Sequence, residues 1–135
     1  MKKVLLTLFM FCCTFLFSQK NLRYVEIYYG SICCGTASTE PVTDYLKQFE
    51  KKNKLKALEV LIQRSKGREG EFSLYIGVDK LNKKQQKLFM QGLSSAISIQ
   101  NSKRNEYSDG TVNFDSAVTF SNDDLKNRKN LTIYK

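Results

Sequence analysis

The chain has 135 residues, enough for one domain of ordinary size and too few for two. Lysine and arginine number 22 against 13 acidic residues, a formal net charge of +9, and the 41% hydrophobic content is typical of a globular protein. The chain contains no histidine, which excludes Ser-His-Asp and Cys-His nucleophiles, histidine-ligated zinc and histidine proton relays.

Residues 1–18 have the pattern of a secretory signal peptide. Two lysines precede an uncharged run over residues 4–17, and Leu16 and Ser18 occupy the −3 and −1 positions of a cleavage site before Gln19. The run of about 14 residues is shorter than the ~20 needed to cross a bilayer. We therefore expect an exported protein, periplasmic or secreted, with no transmembrane segment after cleavage.

The mature part, which we expect to be a single domain over residues 19–135, begins with a strand and a helix. Residues 22–29 alternate between two faces and predict the first strand. The first helix is predicted over residues 40–53, because its apolar residues recur every three or four positions. Thr39 is its predicted N-cap, and Pro41 lies in the first turn, where proline forfeits no helical hydrogen bond.

A hairpin and a second helix follow. Strands are predicted at about 56–64 and 71–78, joined by a turn-rich connection over residues 65–70. Asn82 and Gln85 have the spacing of a capping box at the start of the second helix. The predicted apolar stripe of this helix consists of Leu81, Leu88, Phe89, Leu93, Ala96 and Ile97.

The last predicted strand covers residues 111–120, with Val112, Phe114, Val118 and Phe120 directed inward, and residues 121–135 form a short C-terminal extension. The order β-α-β-β-α-β predicts an α+β protein of ferredoxin-like type: a four-stranded antiparallel sheet with two helices on one face. A right-handed crossover and a hairpin give the strand order 4-1-3-2. The residues predicted to face both helices are Val25, Ile27, Leu58, Val60, Leu74, Ile76, Val112 and Phe114.

Three tyrosines, Tyr24, Tyr28 and Tyr75, share the other sheet face and form a candidate aromatic binding face. RNA-recognition domains stack bases at this place, but residues 67–75 lack their glycine–aromatic pattern, so we do not expect nucleic acid. Because a soluble monomer rarely leaves such a patch bare, we expect the C-terminal extension to cover part of it. The side chains expected to do so are Leu125, Leu131, Ile133 or Tyr134.

Lysines cluster at the end of the first helix and the start of the second: Lys47, Lys51, Lys52, Lys54, Lys56, Lys83, Lys84 and Lys87. A solvated helix face is the favoured interpretation. The alternative is a surface for anionic partners outside the cytoplasm, such as lipid head groups, glycans or released nucleic acid. The carboxylates include no pair at a defined spacing in a cleft, so we assign no catalytic residue.

The loop Gly30-Ser-Ile-Cys-Cys-Gly-Thr36 carries the most unusual residues of the chain. It joins a strand to a helix, where backbone N–H groups and the helix dipole favour anions and thiolates. Gly30 and Gly35 have the spacing of a P-loop, but the P-loop lysine is missing, which excludes nucleotide binding of that type.

This loop resembles the metal-binding loop of the heavy-metal-associated, copper-chaperone-like domain, whose pattern is Gly-Met-Thr-Cys-x-x-Cys. Gly30 and Cys33 match its glycine and first cysteine, Ser31 replaces the methionine, and Thr36 replaces the second cysteine. Cys34 supplies a second sulfur beside the first. The resemblance implies a ferredoxin-like fold and a soft metal ion such as Cu(I) at Cys33, Cys34 and Thr36.

Three interpretations of the cysteine pair remain open. Free cysteine behaves as a small hydrophobe, so packing is the favoured one. The second is thiol or metal chemistry. A disulfide between neighbouring cysteines closes a strained ring, and the strain makes the bond easy to reduce. Reduced thiolates bind soft metal ions selectively. The third is cross-linking to another molecule. Both chemical interpretations require that Cys33 or Cys34 be accessible to solvent.

Together these observations predict an exported, non-catalytic binding or interaction domain. Its expected partner is a protein or an anionic envelope component, and we expect no cofactor. The alternative is a thiol-dependent protein that binds a soft metal or is redox-labile through Cys33 and Cys34.

Overall fold

A computed structural model of the chain describes residues 22–134. Within them the protein is α+β, with six strands in one antiparallel sheet and three helices. The predicted signal peptide and its cleavage site lie outside the described residues. No helix of the described part has the length and hydropathy needed to cross a membrane.

Local sequence signals account for the bounds of most elements. The capping box at α2 is confirmed: Asn82 Oδ1 accepts from the Gln85 amide at 2.9 Å, and Gln85 Oε1 accepts from the Asn82 amide at 3.0 Å. Thr39 is the N-cap of α1 but makes no side-chain cap bond, because its hydroxyl pairs with that of Tyr134 at 3.0 Å. The elements are β1 Arg23–Gly30, α1 Glu40–Lys52, β2 Val60–Gln63, β3 Phe72–Gly77, α2 Lys83–Ser102, β4 Thr111–Phe114, β5 Phe120–Ser121, α3 Asn122–Lys126 and β6 Leu131–Ile133.

The sheet has the order β4-β1-β3-β2-β6, and β5 pairs with the start of β1. Its central order 4-1-3-2 is the predicted one, but the sheet has six strands and not four. The single strand predicted over residues 111–120 is wrong: a turn at Asp115, whose carboxylate accepts from the Ala117 amide at 2.8 Å, divides it into β4 and β5. The extension adds β6 to the edge of β2.

The main core lies between the sheet and the helices α1 and α2, and all eight residues predicted to face the helices contribute to it. Three predicted inward positions are wrong. Leu88 is 49% exposed and Val118 is 44% exposed, while Phe120 packs on the opposite face of the sheet. Leu88 lies outside the stripe because α2 directs Phe89, Leu93 and Ile97 to the core.

A second, smaller cluster covers the other sheet face. Tyr24, Tyr75 and Leu125 are buried there, and Leu131 packs against them, so the extension covers two of the three tyrosines as predicted. Ile133 takes no part in this cover, since it is 77% exposed. Tyr134 instead packs against the helix-side core.

Candidate functional site

The cysteine loop is fixed at its base by its own polar groups. Ser31 and Thr36 form an isolated antiparallel bridge. The Ser31 hydroxyl accepts from the Gly35 amide at 3.2 Å and donates to Glu69 Oε2 at 2.7 Å. Gly35 has φ +108, a conformation that side-chain-bearing residues rarely adopt, which explains a glycine directly after the cysteines.

The same loop packs directly on the backbone at Gly110. A Cβ atom added to Gly110 would lie 2.2 Å from the carbonyl oxygen of Gly30 and 3.0 Å from both the Ala37 nitrogen and the Gly35 oxygen. Only glycine allows this approach without displacing backbone. No local signal in the sequence links Gly110 to residues 30–37.

Cys33 and Cys34 are both exposed, and their sulfur atoms are joined as a disulfide between neighbouring residues. Cys33 Sγ lies 3.6 Å from the carbonyl oxygen of Tyr107 and 3.9 Å from that of Ser108. A disulfide sulfur carries no proton, so in this state neither contact is a hydrogen bond. The exposure places the pair outside the apolar core that the packing interpretation requires.

A cleft of about 540 Å³ adjoins this loop. The loop, including Cys34 and Thr36, forms one wall, and the C-terminal end of α2 with the residues after it forms the other. Pro41, Ala96 and Ile99 give it an apolar part. We call it the Arg104 cleft, after the most buried cation that lines it.

Two residues that line the Arg104 cleft each hold a buried polar atom without a hydrogen-bond partner among the described residues: Gln100 Oε1 and Arg104 Nη1. Gln100 is held in place because its Nε2 donates to the Ser38 carbonyl at 2.7 Å, which leaves Oε1 free. A buried donor or acceptor without a partner costs about 1–3 kcal/mol. A bound group that reached them after a small movement of the neighbouring side chains would supply the missing partners.

The charge of the Arg104 cleft is positive. Lys103 and Arg104 line it, and neither forms an ion pair with any residue between 22 and 134. Its one acidic lining residue, Asp109, is turned into its own loop, where its oxygens accept from the Asn105 amide at 2.7 Å and the Ser108 hydroxyl at 3.1 Å. Two cations against one carboxylate give the lining a net formal charge of +1, which favours an anion.

The predicted soft-metal site is not formed while Cys33 and Cys34 are joined as a disulfide. Sulfurs bonded to each other are not thiolates, and the atoms near Cys33 Sγ are carbonyl oxygens, which suit hard ions. Within residues 22–134 no group of three or more His, Cys, Asp or Glu side chains could hold an ion.

The predicted aromatic face is divided by the fold. Tyr24 and Tyr75 are buried under the extension, and only Tyr28 is half-buried, with Lys66 Nζ 5.2 Å from its ring centroid. Burial, reinforced by the Glu59 carboxylate, raises the pKa of Tyr24 to about 12. Burial and the hydrogen bond to Glu26 raise the pKa of Tyr75 as well.

Sequence reasoning missed a polar cluster beside Tyr28. Glu26 Oε1 accepts from Lys66 at 2.6 Å, Ser73 at 2.6 Å and Tyr75 at 2.8 Å. Burial raises the pKa of Glu26, but these hydrogen bonds outweigh that effect and hold the pKa below its ordinary value. The alternation of β1 and β3 placed Glu26, Ser73 and Tyr75 on one face, and the strand order 4-1-3-2 made them neighbours, so the signal was available.

Comparisons with family models, with curated proteins and with solved structures gave no match.

Proposed function

We propose that this chain is a non-catalytic binding domain that holds a small organic anion in the Arg104 cleft. The observation that carries the proposal is one cleft lined by two cations without an ion pair among the described residues, Lys103 and Arg104, where Arg104 Nη1 and Gln100 Oε1 also lack a hydrogen-bond partner. A guanidinium N–H group donates hydrogen bonds and is well matched by an anionic acceptor, whereas a carboxamide oxygen accepts from a donor group.

The residues that line the Arg104 cleft limit the chemical class of the ligand. A carboxylate suits Arg104 because the pair forms charge-assisted hydrogen bonds, and Lys103 adds a second positive charge. An N–H or O–H group of the same ligand would satisfy Gln100. Pro41, Ala96 and Ile99 would contact a short hydrocarbon part. The ligand class is a small carboxylate that carries both a donor and an apolar group.

N-acetyl-L-leucine is a probe with these three features, and its neutral amide is the matched comparison. In an NMR titration of the full chain, the carboxylate should shift the backbone amides of Thr36, Gln100 and Gly110. We expect the neutral amide to bind about tenfold to a hundredfold more weakly, as for the loss of one charge-assisted hydrogen bond. Arg104→Gln should remove this difference.

Arg64→Gln is the control, since Arg64 is exposed, does not line the cleft and loses the same charge. It should leave both titrations unchanged. The proposal is wrong if the two probes bind alike to the unaltered chain, or if the shifts fall outside the lining residues of the Arg104 cleft.

A redox-labile cysteine pair is the second candidate function, favoured by the exposure of both bonded cysteines, of which Cys34 lines the cleft. An external thiol reductant would supply two electrons and two protons and become a disulfide itself. The Cys33–Cys34 bond would break to give two S–H groups. The Cys33 thiol could then donate to the Tyr107 carbonyl 3.6 Å away, which the disulfide cannot do.

Alkylation of the native chain by iodoacetamide, with and without dithiothreitol, tests this candidate. Peptide mass mapping is needed because the chain also contains Cys12 and Cys13. We expect label on the peptide holding Cys33 and Cys34 only after reduction. The pair is structural if neither residue reacts without denaturant and Cys→Ser at both positions only lowers stability.

We also infer that the fold is a ferredoxin-like βαββαβ arrangement extended at both edges. The order β4-β1-β3-β2, with α1 and α2 on one face, supports it, while β5 and β6 are additions. An experimental structure with β3 at the edge of the sheet would contradict it.

Export remains a proposal that rests on residues 1–18. Mass spectrometry of the protein from envelope and medium fractions should find an N-terminus at or near Gln19. A major cytosolic form that retains Met1 would contradict export.

A further inference from the structure

We propose that the lysine-rich end of the helix layer docks on the anionic surface of a phospholipid bilayer. This surface, the lysine end, consists of Lys51, Lys52, Lys54, Lys56, Lys83, Lys84 and Lys87, all of them exposed. It is separate from the Arg104 cleft, and the proposal does not depend on the proposed function.

The antiparallel packing of α1 and α2 brings these lysines together. Near the start of α1, the Ser38 carbonyl accepts from Gln100, which lies late in α2. Near the end of α1, the Phe49 ring lies 5.1 Å from that of Phe89, which lies early in α2. The C-terminal end of α1 and the N-terminal end of α2 therefore adjoin, and their lysines form one surface.

Acidic residues do not neutralise the lysine end. No ion pair involves any of its lysines within residues 22–134. The carboxylates nearest to these lysines in sequence have other partners: Glu50 is buried and accepts from the Leu58 amide at 2.8 Å, Glu59 accepts from the Tyr24 hydroxyl at 3.3 Å, and Asp79 is paired with Arg23 at 3.6 Å. The positive charge is thus available to an external partner.

Three of these lysines occupy a place that is unfavourable for the folded chain alone. Lys83 and Lys84 lie in the first turn of α2 and Lys87 follows, while the first turn holds no acidic residue. The N-terminal end of a helix is the positive end of its dipole, where acidic side chains stabilise and cations destabilise. An anionic partner that binds these lysines would offset the unfavourable interaction with the helix dipole, and this accounts for their presence.

The composition of the lysine end indicates a diffuse anionic surface as that partner. It holds only lysines, which are flexible point charges, and no arginine for bidentate base contacts or aromatic ring for base stacking. Leu88, 49% exposed, lies four residues after Lys84 and therefore on the same side of α2. An apolar side chain among lysines suits the boundary between lipid head groups and acyl chains.

Flotation of the full chain with vesicles tests the proposal. Vesicles of phosphatidylglycerol and phosphatidylcholine in equal parts should bind it, and vesicles of phosphatidylcholine alone should bind it far less. Replacing Lys83, Lys84 and Lys87 by glutamine should weaken partitioning about a hundredfold at low salt. Because these lysines oppose the helix dipole, the same variant should melt at an equal or higher temperature.

The matched control removes three positive charges elsewhere, at the exposed residues Arg64, Lys126 and Lys129, also by glutamine. It should retain most of the binding. The proposal is overturned if both variants lose binding equally, or if neutral vesicles bind the chain as strongly as anionic ones. Binding of DNA or a sulfated glycan through the lysine end, without binding to vesicles, would also overturn it.

Discussion

Glu26 shows at the scale of one residue how burial and hydrogen bonding oppose each other. One oxygen of its carboxylate accepts from Lys66, Ser73 and Tyr75. Burial alone would favour the neutral acid, but the donors stabilise the ionised form more, so the pKa is lowered. A lowered pKa in the folded state means that the unfolded chain binds a proton more readily.

The pH dependence of stability follows from that sign. The contribution of Glu26 is present above its ordinary pKa of 4.5 and is lost as the pH falls below it. Glu26→Gln should lower the free energy of unfolding at neutral pH by roughly 1–2 kcal/mol, since the cluster is partly exposed. The variant should also lose less stability than the unaltered chain on acidification.

Urea unfolding at several pH values measures both effects. Glu106→Gln, at an exposed residue, is the control and should follow the unaltered chain. An acid sensitivity that Glu26→Gln does not reduce would show that this cluster has no part in it.

Gly110 is the second residue whose role is decided by contacts far along the chain. Gly110→Ala would place a Cβ atom 2.2 Å from the Gly30 carbonyl oxygen, so backbone must move. We expect a loss of about 1–3 kcal/mol in the free energy of unfolding, as for other overpacked sites.

Gly67→Ala is the matched comparison for Gly110→Ala. Its added Cβ would meet the carboxylate of Glu71, the end of a flexible, partly exposed side chain that can move away. Thermal unfolding of the two variants should therefore separate them clearly. Equal melting temperatures would mean that the cysteine loop does not depend on its contact with Gly110.

At the scale of elements, α3 and β6 act as a cover for the outer face of the sheet. The Ser121 hydroxyl accepts from the Asp124 amide at 3.2 Å, which starts the short helix α3 and directs Leu125 onto Tyr24 and Tyr75. β6 then pairs with β2 through Leu131, Thr132 and Ile133.

Two substitutions by alanine test which side chains of α3 and β6 stabilise the fold. Leu125→Ala should cost about 2–5 kcal/mol because Leu125 is 1% exposed, the usual range for a buried leucine. Ile133→Ala should cost within ~0.5 kcal/mol because Ile133 is 77% exposed. Chemical denaturation gives both values, and comparable losses would contradict the assignment of the cover.

At the scale of the whole molecule, the sheet has a core on each face, and the cover supplies the second one. Truncation after Phe120 should therefore lower the melting temperature. It should also expose Tyr24 and bring its pKa down from about 12 toward the ordinary value of 10, since burial is the largest cause of the shift. Ultraviolet titration of the tyrosines measures that change.

If the truncated chain melts at an unchanged temperature, the extension is not part of the fold, and the tyrosine face is free for a partner. The ultraviolet titration separates the two outcomes independently of the melting temperature, because a tyrosine that remains covered keeps its raised pKa.

Features that depend on neighbours along the chain could be predicted from the sequence. Alternation in β1 and β3 assigned each residue to a face, and the capping box located the start of α2, because side-chain direction and helix caps are set within a few residues. The strand order 4-1-3-2 followed from the connections alone. The exposure of Cys33 and Cys34 could not be predicted, because their adjacency in sequence does not show which residues pack over the loop.

The remaining features of the fold and of the two candidate sites depend on tertiary contacts. The division of residues 111–120 into two strands depended on where β1 offered free pairing groups and on the turn at Asp115. The Arg104 cleft exists because Gly110 allows two distant loops to touch, and the lysine end exists because α1 and α2 pack antiparallel. Such sites join residues that are far apart in sequence, and only the packed chain places them together.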